Sequence, residues 1–109
     1  MQLRTEGDIH IVTVLPRIDA NNAKDMDAKL QDVMRGGAKK IICSFTANEY
    51  VSSAGLRVFL AALKAMNKTG GRIVLCSLKP YVQEVFEMAG FSQLFAIFAT
   101  EDEAVQHLK

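Results

Sequence analysis

Hydrophobic positions along the chain switch repeatedly between a period of two and a period near 3.6, so strands and helices alternate. Residues 8–15, Asp8-Ile9-His10-Ile11-Val12-Thr13-Val14-Leu15, begin alternating and end nearly continuous. This is a strand pattern, with residues 2–5 placed to be its antiparallel partner. Pro16 closes it, a short element forms around Ile18, and Asp19-Ala20-Asn21-Asn22 suits a turn and a helix N-cap. Ala23, Met26, Leu30, Val33 and Met34 fall on one stripe, which predicts a helix from about Asn22 to Arg35. Gly36-Gly37 supplies the left-handed residue that ends it. The run 40–45 is apolar throughout and reads as a central strand buried on both faces.

The second half repeats this alternation. After a polar bend, Thr46-Ala47-Asn48-Glu49, the segment Tyr50-Val51-Ser52-Ser53-Ala54-Gly55-Leu56 runs straight into a helix marked by Leu56, Phe59, Leu60, Leu63 and Met66. Residues 67–71 end that helix, and Arg72-Ile73-Val74-Leu75-Cys76-Ser77 is another central strand. Lys79-Pro80 opens a third helix with proline in its first turn, Val82, Val85, Phe86 and Ala89 form its stripe, and Gly90 caps it. Residues 94–98 read as a last edge strand. Thr100 with Glu103 reads as a capping box before a helix bearing Ala104, Val105 and Leu108. The predicted class is therefore α/β, with four to five strands in a mixed sheet, a parallel centre and about four helices. In such sheets functional loops lie beyond the carboxyl ends of the central strands, where the two serines fall.

Composition narrows the function. The 109 residues predict one domain, residues 1–109, large enough to bury a core without metal or disulfide. Thirteen basic and twelve acidic residues leave a formal charge of +1, and no basic run exceeds Lys39-Lys40, which argues against a nucleic-acid partner. The first residues carry no apolar stretch of signal-peptide length and nothing approaches a membrane span, so the expected location is the cytoplasm. Cys43 and Cys76 are expected as buried free thiols, not a disulfide pair.

The chemistry-bearing residues exclude most catalytic options. His10 lies in a strand and His107 in the last helix, so neither is placed to activate Ser52 or Ser53, and Val51-Ser52-Ser53-Ala54-Gly55 lacks the first glycine of a nucleophile elbow. The cysteines and histidines show no metal-ligand spacing, and Gly36-Gly37 and Gly70-Gly71 match no phosphate or dinucleotide loop. No enzyme activity, metal or cofactor is expected. Two readings of the serines remain, and they are compatible: one of them caps the helix, or one is a phosphoacceptor whose phosphate the helix N-terminus stabilises.

Residues Tyr50 to Val58 and the Leu-rich helix after them resemble the signature of the STAS domain, the fold of bacterial anti-sigma factor antagonists and of the cytoplasmic tail of sulfate transporters. The likeness extends over nearly the whole chain. Residues 18–23, 68–75, 79–86 and 89–91 resemble the family's first loop, Gly-Gly strand entry, third helix and following turn. The resemblance implies a non-enzymatic interaction domain that binds a serine-kinase anti-sigma factor and is released when that kinase phosphorylates a serine, with a phosphatase to reset it. Anchoring on Gly55-Leu56 places the acceptor at Ser53, with Ser52 second. Asp19 falls where the family keeps an aspartate beside the phosphosite, and Asp19, Asn21, Asn22, Ser52, Ser53, Ala54, Gly55 and Arg57 are the expected partner-binding residues. The chain departs from the family at Ser52, where aspartate is frequent, at Ser44, where Asp or Asn is usual, and at Pro16-Arg17, where a glycine is common. The alternative implied by the same resemblance is a STAS scaffold in another signalling complex without a sigma factor output.

Overall fold

Five strands form the main sheet in the order β1 (Leu3–Glu6), β2 (Ile9–Thr13), β4 (Lys40–Ser44), β6 (Arg72–Cys76) and β7 (Ile97–Phe98). The computed structural model that shows this describes residues 2–109. β1 pairs antiparallel with β2 across a turn at Gly7, whose φ of 63° is left-handed. The other pairs, β2·β4, β4·β6 and β6·β7, are parallel. β4 is central, and four of its five residues are buried, as a strand covered on both faces requires.

Three helices cover one face of the sheet and the fourth covers the other. The larger core joins Val12, Val14, Ile41, Cys43, Phe45, Ile73 and Leu75 of the sheet and its loops to the stripes of α1 (Ala23–Arg35), α2 (Ser53–Lys68) and α3 (Pro80–Met88). The smaller one joins Ile9, Ile11, Ile42, Val74 and Cys76 to Ala104, Val105 and Leu108 of α4 (Glu101–Leu108). Phe45, Phe59 and Phe86 interlock at centroid distances of 5.3 to 6.2 Å, tying the end of β4 to α2 and α3. The expected helices are all present, and α4 is capped by Thr100, whose Oγ1 accepts from Glu103 N at 3.2 Å. No helix among the described residues is long and apolar enough to cross a membrane.

Two segments differ from the pattern read along the chain. The edge strand expected at 94–98 is only Ile97–Phe98, and a 3₁₀ turn occupies Phe91–Gln93. Aromatic packing wins there: Phe91 meets Phe86 edge-to-face and lies tilted against Phe95, and Phe95 is buried in the core instead of extending the strand, leaving Leu94 exposed. The second difference is a two-stranded parallel ladder, β3 (Arg17–Ile18) with β5 (Tyr50–Val51), where only a short element and a loop were expected.

The cysteines sit on adjacent central strands but on opposite faces. Register pairs Cys43 with Leu75 and Ser44 with Cys76, so Cys43 enters the α1/α2/α3 core and Cys76 the α4 core. A disulfide between them is geometrically excluded. Burial pushes both thiols above their ordinary pKa, which withdraws the reactive thiolate. A thiol reagent near pH 8 is expected to leave the native protein unmodified and to label both cysteines once denaturant is added; rapid native labelling of either would contradict their placement.

Candidate functional site

The loops that carry the expected site residues are brought together by the β3–β5 ladder. Its two residue pairs, Arg17 with Tyr50 and Ile18 with Val51, lay the start of the 19–22 loop beside the start of the Ser52-Ser53 segment. Two flanking backbone bonds extend the match, Glu49 N to Pro16 O at 2.7 Å and Ser52 N to Ile18 O at 2.8 Å. Arg17 lies over the Tyr50 ring at 4.6 Å, a cation–π contact on the exposed side. Beneath, Ile18 and Val51 are buried against α2.

Gly55 sets how closely α2 can approach this ladder. A Cβ there would meet Ile18 Cγ2 and Val51 Cγ1, both at 2.8 Å, nearer than side chains tolerate. Gly55 is buried. Its contribution to the expected partner-binding set is therefore to position Ser53 and Ala54, since it presents no side chain to a partner.

Two residues outside the expected set hold the loops from below. Asn48 is fully buried, and its side-chain amide donates to Leu15 O at 2.7 Å and Tyr50 O at 3.1 Å, stapling the chain after β2 to the chain before α2. Lys79 Nζ donates to Thr46 O and Asn48 O, both at 3.0 Å, and so pins the same bend to the start of α3. An isolated asparagine in a polar bend carries no sequence signal for such a staple, because one of the two carbonyls it joins, that of Leu15, lies 33 residues away.

The 19–22 loop is internally braced. Asp19 Oδ1 accepts from Asn21 N at 2.9 Å and Asn22 N at 3.3 Å, while Asn22 Oδ1 accepts from Asp19 N and its amide donates to Arg17 O, both at 2.8 Å. Asn22 occupies the N-cap position of α1, yet its side chain serves this turn and makes no cap bond. The N-cap expected from this cluster is thus a reciprocal Asp19–Asn22 clasp. Asn21 is exposed, and Asp19 and Asn22 are partly so.

The two serines differ in their hydrogen bonding. Ser52 is the N-cap of α2: its backbone is extended and its Oγ accepts from Gly55 N at 3.3 Å. Ser53 is the first helical residue, is exposed, and has no hydrogen bond from its hydroxyl among the described residues. Ala54 is half-buried, and Arg57, one turn on, is exposed. Neither histidine belongs to this site: His10 lies mid-strand in β2, and His107 lies in α4, where its Nε2 is 2.7 Å from Arg72. Among the described residues no three His, Cys, Asp or Glu side chains converge as a metal site would need.

The STAS domain family model matches residues 1–104. The chain is similar to BtrV of Bordetella bronchiseptica, a candidate anti-sigma factor antagonist, at 35% identity over 92 residues, which cover 84% of this chain and 79% of that one. It is 30% identical over 103 residues to the anti-sigma-B factor antagonist of Bacillus subtilis, covering 94% of this chain and 93% of that protein. Among solved structures, the anti-sigma factor antagonist SpoIIAA of Bacillus superposes with a TM-score of 0.84 in its unphosphorylated form, at 23% identity and covering 98% of this chain and 94% of that one. That likeness is one of fold.

The division between the serines has a stability signature. Ser52→Ala is expected to cost about 1 kcal/mol through loss of the cap, whereas Ser53→Ala stays within about 0.5 kcal/mol as an exposed change; urea unfolding of both measures it. Asn48→Ala, which strips the donor from two carbonyls, is expected to cost about 2 kcal/mol and to speed amide exchange at Glu49 and Ser52.

Proposed function

The chain belongs to the STAS domain family, and from that premise we propose that it is an anti-sigma factor antagonist switched by phosphorylation of Ser53. Unmodified, it binds a serine-kinase anti-sigma factor through the Ser52–Arg57 segment and the adjoining 19–22 loop, and so frees a sigma factor. Phosphate on Ser53 ends that binding, and a separate phosphatase restores it. The protein works in the cytoplasm as an interaction domain without catalytic activity of its own. One observation carries this reading: the exposed, uncommitted hydroxyl of Ser53 at the first turn of a helix, beside a neighbour already used as the cap.

The physical chemistry supports a switch without unfolding. A phosphate at this position lies against free backbone N–H groups and the positive end of the α2 dipole, so the fold accommodates it. It adds about −1.5 to −2 charge at the exposed start of α2. Burying that charge at an interface requires desolvation with no partner cation in place, which disfavours the complex. Asp19, held in the neighbouring loop by its clasp with Asn22, supports the reading as a carboxylate on the partner-facing side that would assist phosphorylation of Ser53.

Incubation with the serine-kinase anti-sigma factor of the source organism and ATP, followed by mass mapping, tests the assignment. The expected result is one phosphate on Ser53, abolished in Ser53→Ala and retained in Ser52→Ala. Ser53→Asp is expected to fold normally and bind the kinase at least tenfold more weakly. Phosphate on Ser52, or undiminished binding by Ser53→Asp, would overturn the assignment.

A further inference from the structure

The near-neutral chain hides a strong segregation of charge among its helices. α2 carries Arg57, Lys64 and Lys68 and no carboxylate anywhere in its sixteen residues. α3 carries Glu84 and Glu87 and no cation, and α4 opens with Glu101, Asp102 and Glu103. α1 is balanced, with three of each sign. The cations of α2 are also aligned. Ser53, Arg57, Ala61, Lys64 and Lys68 recur at helical spacing and are all exposed, with half-buried Leu60 beside them. They define one stripe within an arc of about 100° and about 22 Å long. Arg57, Lys64 and Lys68 make no ion pair or hydrogen bond among the described residues, whereas Arg4, Arg35 and Lys40 are each paired with a carboxylate. Unpaired like charges along one helix face repel one another and add nothing to the fold.

We propose that this stripe is a docking surface for an acidic face of the anti-sigma factor kinase, continuous with Ser53 at its N-terminal end. The proposal rests on the function proposed above and adds the chemistry of the partner. Leu60 and Ala61 supply a small apolar centre between Arg57 and Lys64, and the cations at either side select a partner whose matching positions are Asp or Glu. The same arrangement explains why a phosphate at Ser53 is effective. It stands one turn before Arg57, where it neutralises the first cation of the stripe and faces the partner's carboxylates with a like charge. Three cations are too few for affinity to a nucleic acid at physiological salt, and fewer than the roughly four to eight that a polybasic membrane-binding segment carries.

Binding kinetics with the purified serine-kinase anti-sigma factor, measured from about 50 to 300 mM salt, tests the stripe. For the unmodified wild type the association rate is expected to fall steeply with salt. Lys64→Glu/Lys68→Glu is expected to lower it at least tenfold at low salt and to flatten the dependence. Lys64→Arg/Lys68→Arg keeps both. Arg4→Glu/Lys109→Glu, with the same change in net charge away from α2, stays within threefold. Lys64→Gln/Lys68→Gln gives an intermediate rate and serves if the reversal fails to fold. Wild-type association by the α2 reversal, alongside weakened binding by Ser53→Asp, would overturn the stripe and leave the Ser53 switch standing. Absence of binding by the wild type would overturn the switch, and the stripe with it. Wild-type kinase binding by the reversal, with loss of binding to a DNA duplex or to anionic vesicles, would assign the stripe to that surface instead.

Discussion

A pair of two-residue strands has almost no stability of its own, yet the β3–β5 ladder holds the site together. Two parallel residue pairs cannot repay the entropy of fixing both segments. What sustains them is burial of Ile18 and Val51 under α2, and that burial exists only because position 55 has no side chain. The asparagine staple at Asn48 then ties the ladder to the end of β2, and Lys79 ties the same bend to α3. Remove the close approach at Gly55 and the serine segment loses its fixed relation to Asp19. The loop geometry is therefore a packing result before it is a functional one.

The sheet and helices were legible because their signals are local and periodic. β4 and β6 announce themselves as continuous apolar runs, and α1 and α2 as stripes long enough to outweigh any ambiguity at their ends. The ladder was not legible, because two residues cannot express a period and its partners lie 33 positions apart in the register. Residues 94–98 were misread for a related reason. Leu94, Phe95, Ile97 and Phe98 look like a strand to any local rule, but the pocket beside Phe91 and Phe86 claims Phe95 from outside the segment. The opposite facing of Cys43 and Cys76 likewise follows from register, which composition does not contain.

At the site the residue types were legible and their division of labour was not. Ser52 and Ser53 are chemically identical, and either satisfies the N-cap preference. One residue of helix phase separates them: the extended backbone at Ser52 aims its oxygen at Gly55 N, while Ser53, already helical, aims its hydroxyl outward. The Ser52 hydroxyl supplies the cap without adding a charge to the start of the helix.

A modification shifts binding only by the difference between its interactions in the free and bound states. In the free protein a phosphate on Ser53 meets solvent, the amides of the first turn and Arg57 one turn away, all of which stabilise it. The better the free state accommodates the charge, the more the complex must offer to compensate, and the acidic partner proposed for α2 would repel it. In the proposed switch α2 therefore acts twice: it stabilises a phosphate on Ser53 of the free protein with its N-terminus and its nearest cation, and in doing so withdraws that cation from the partner.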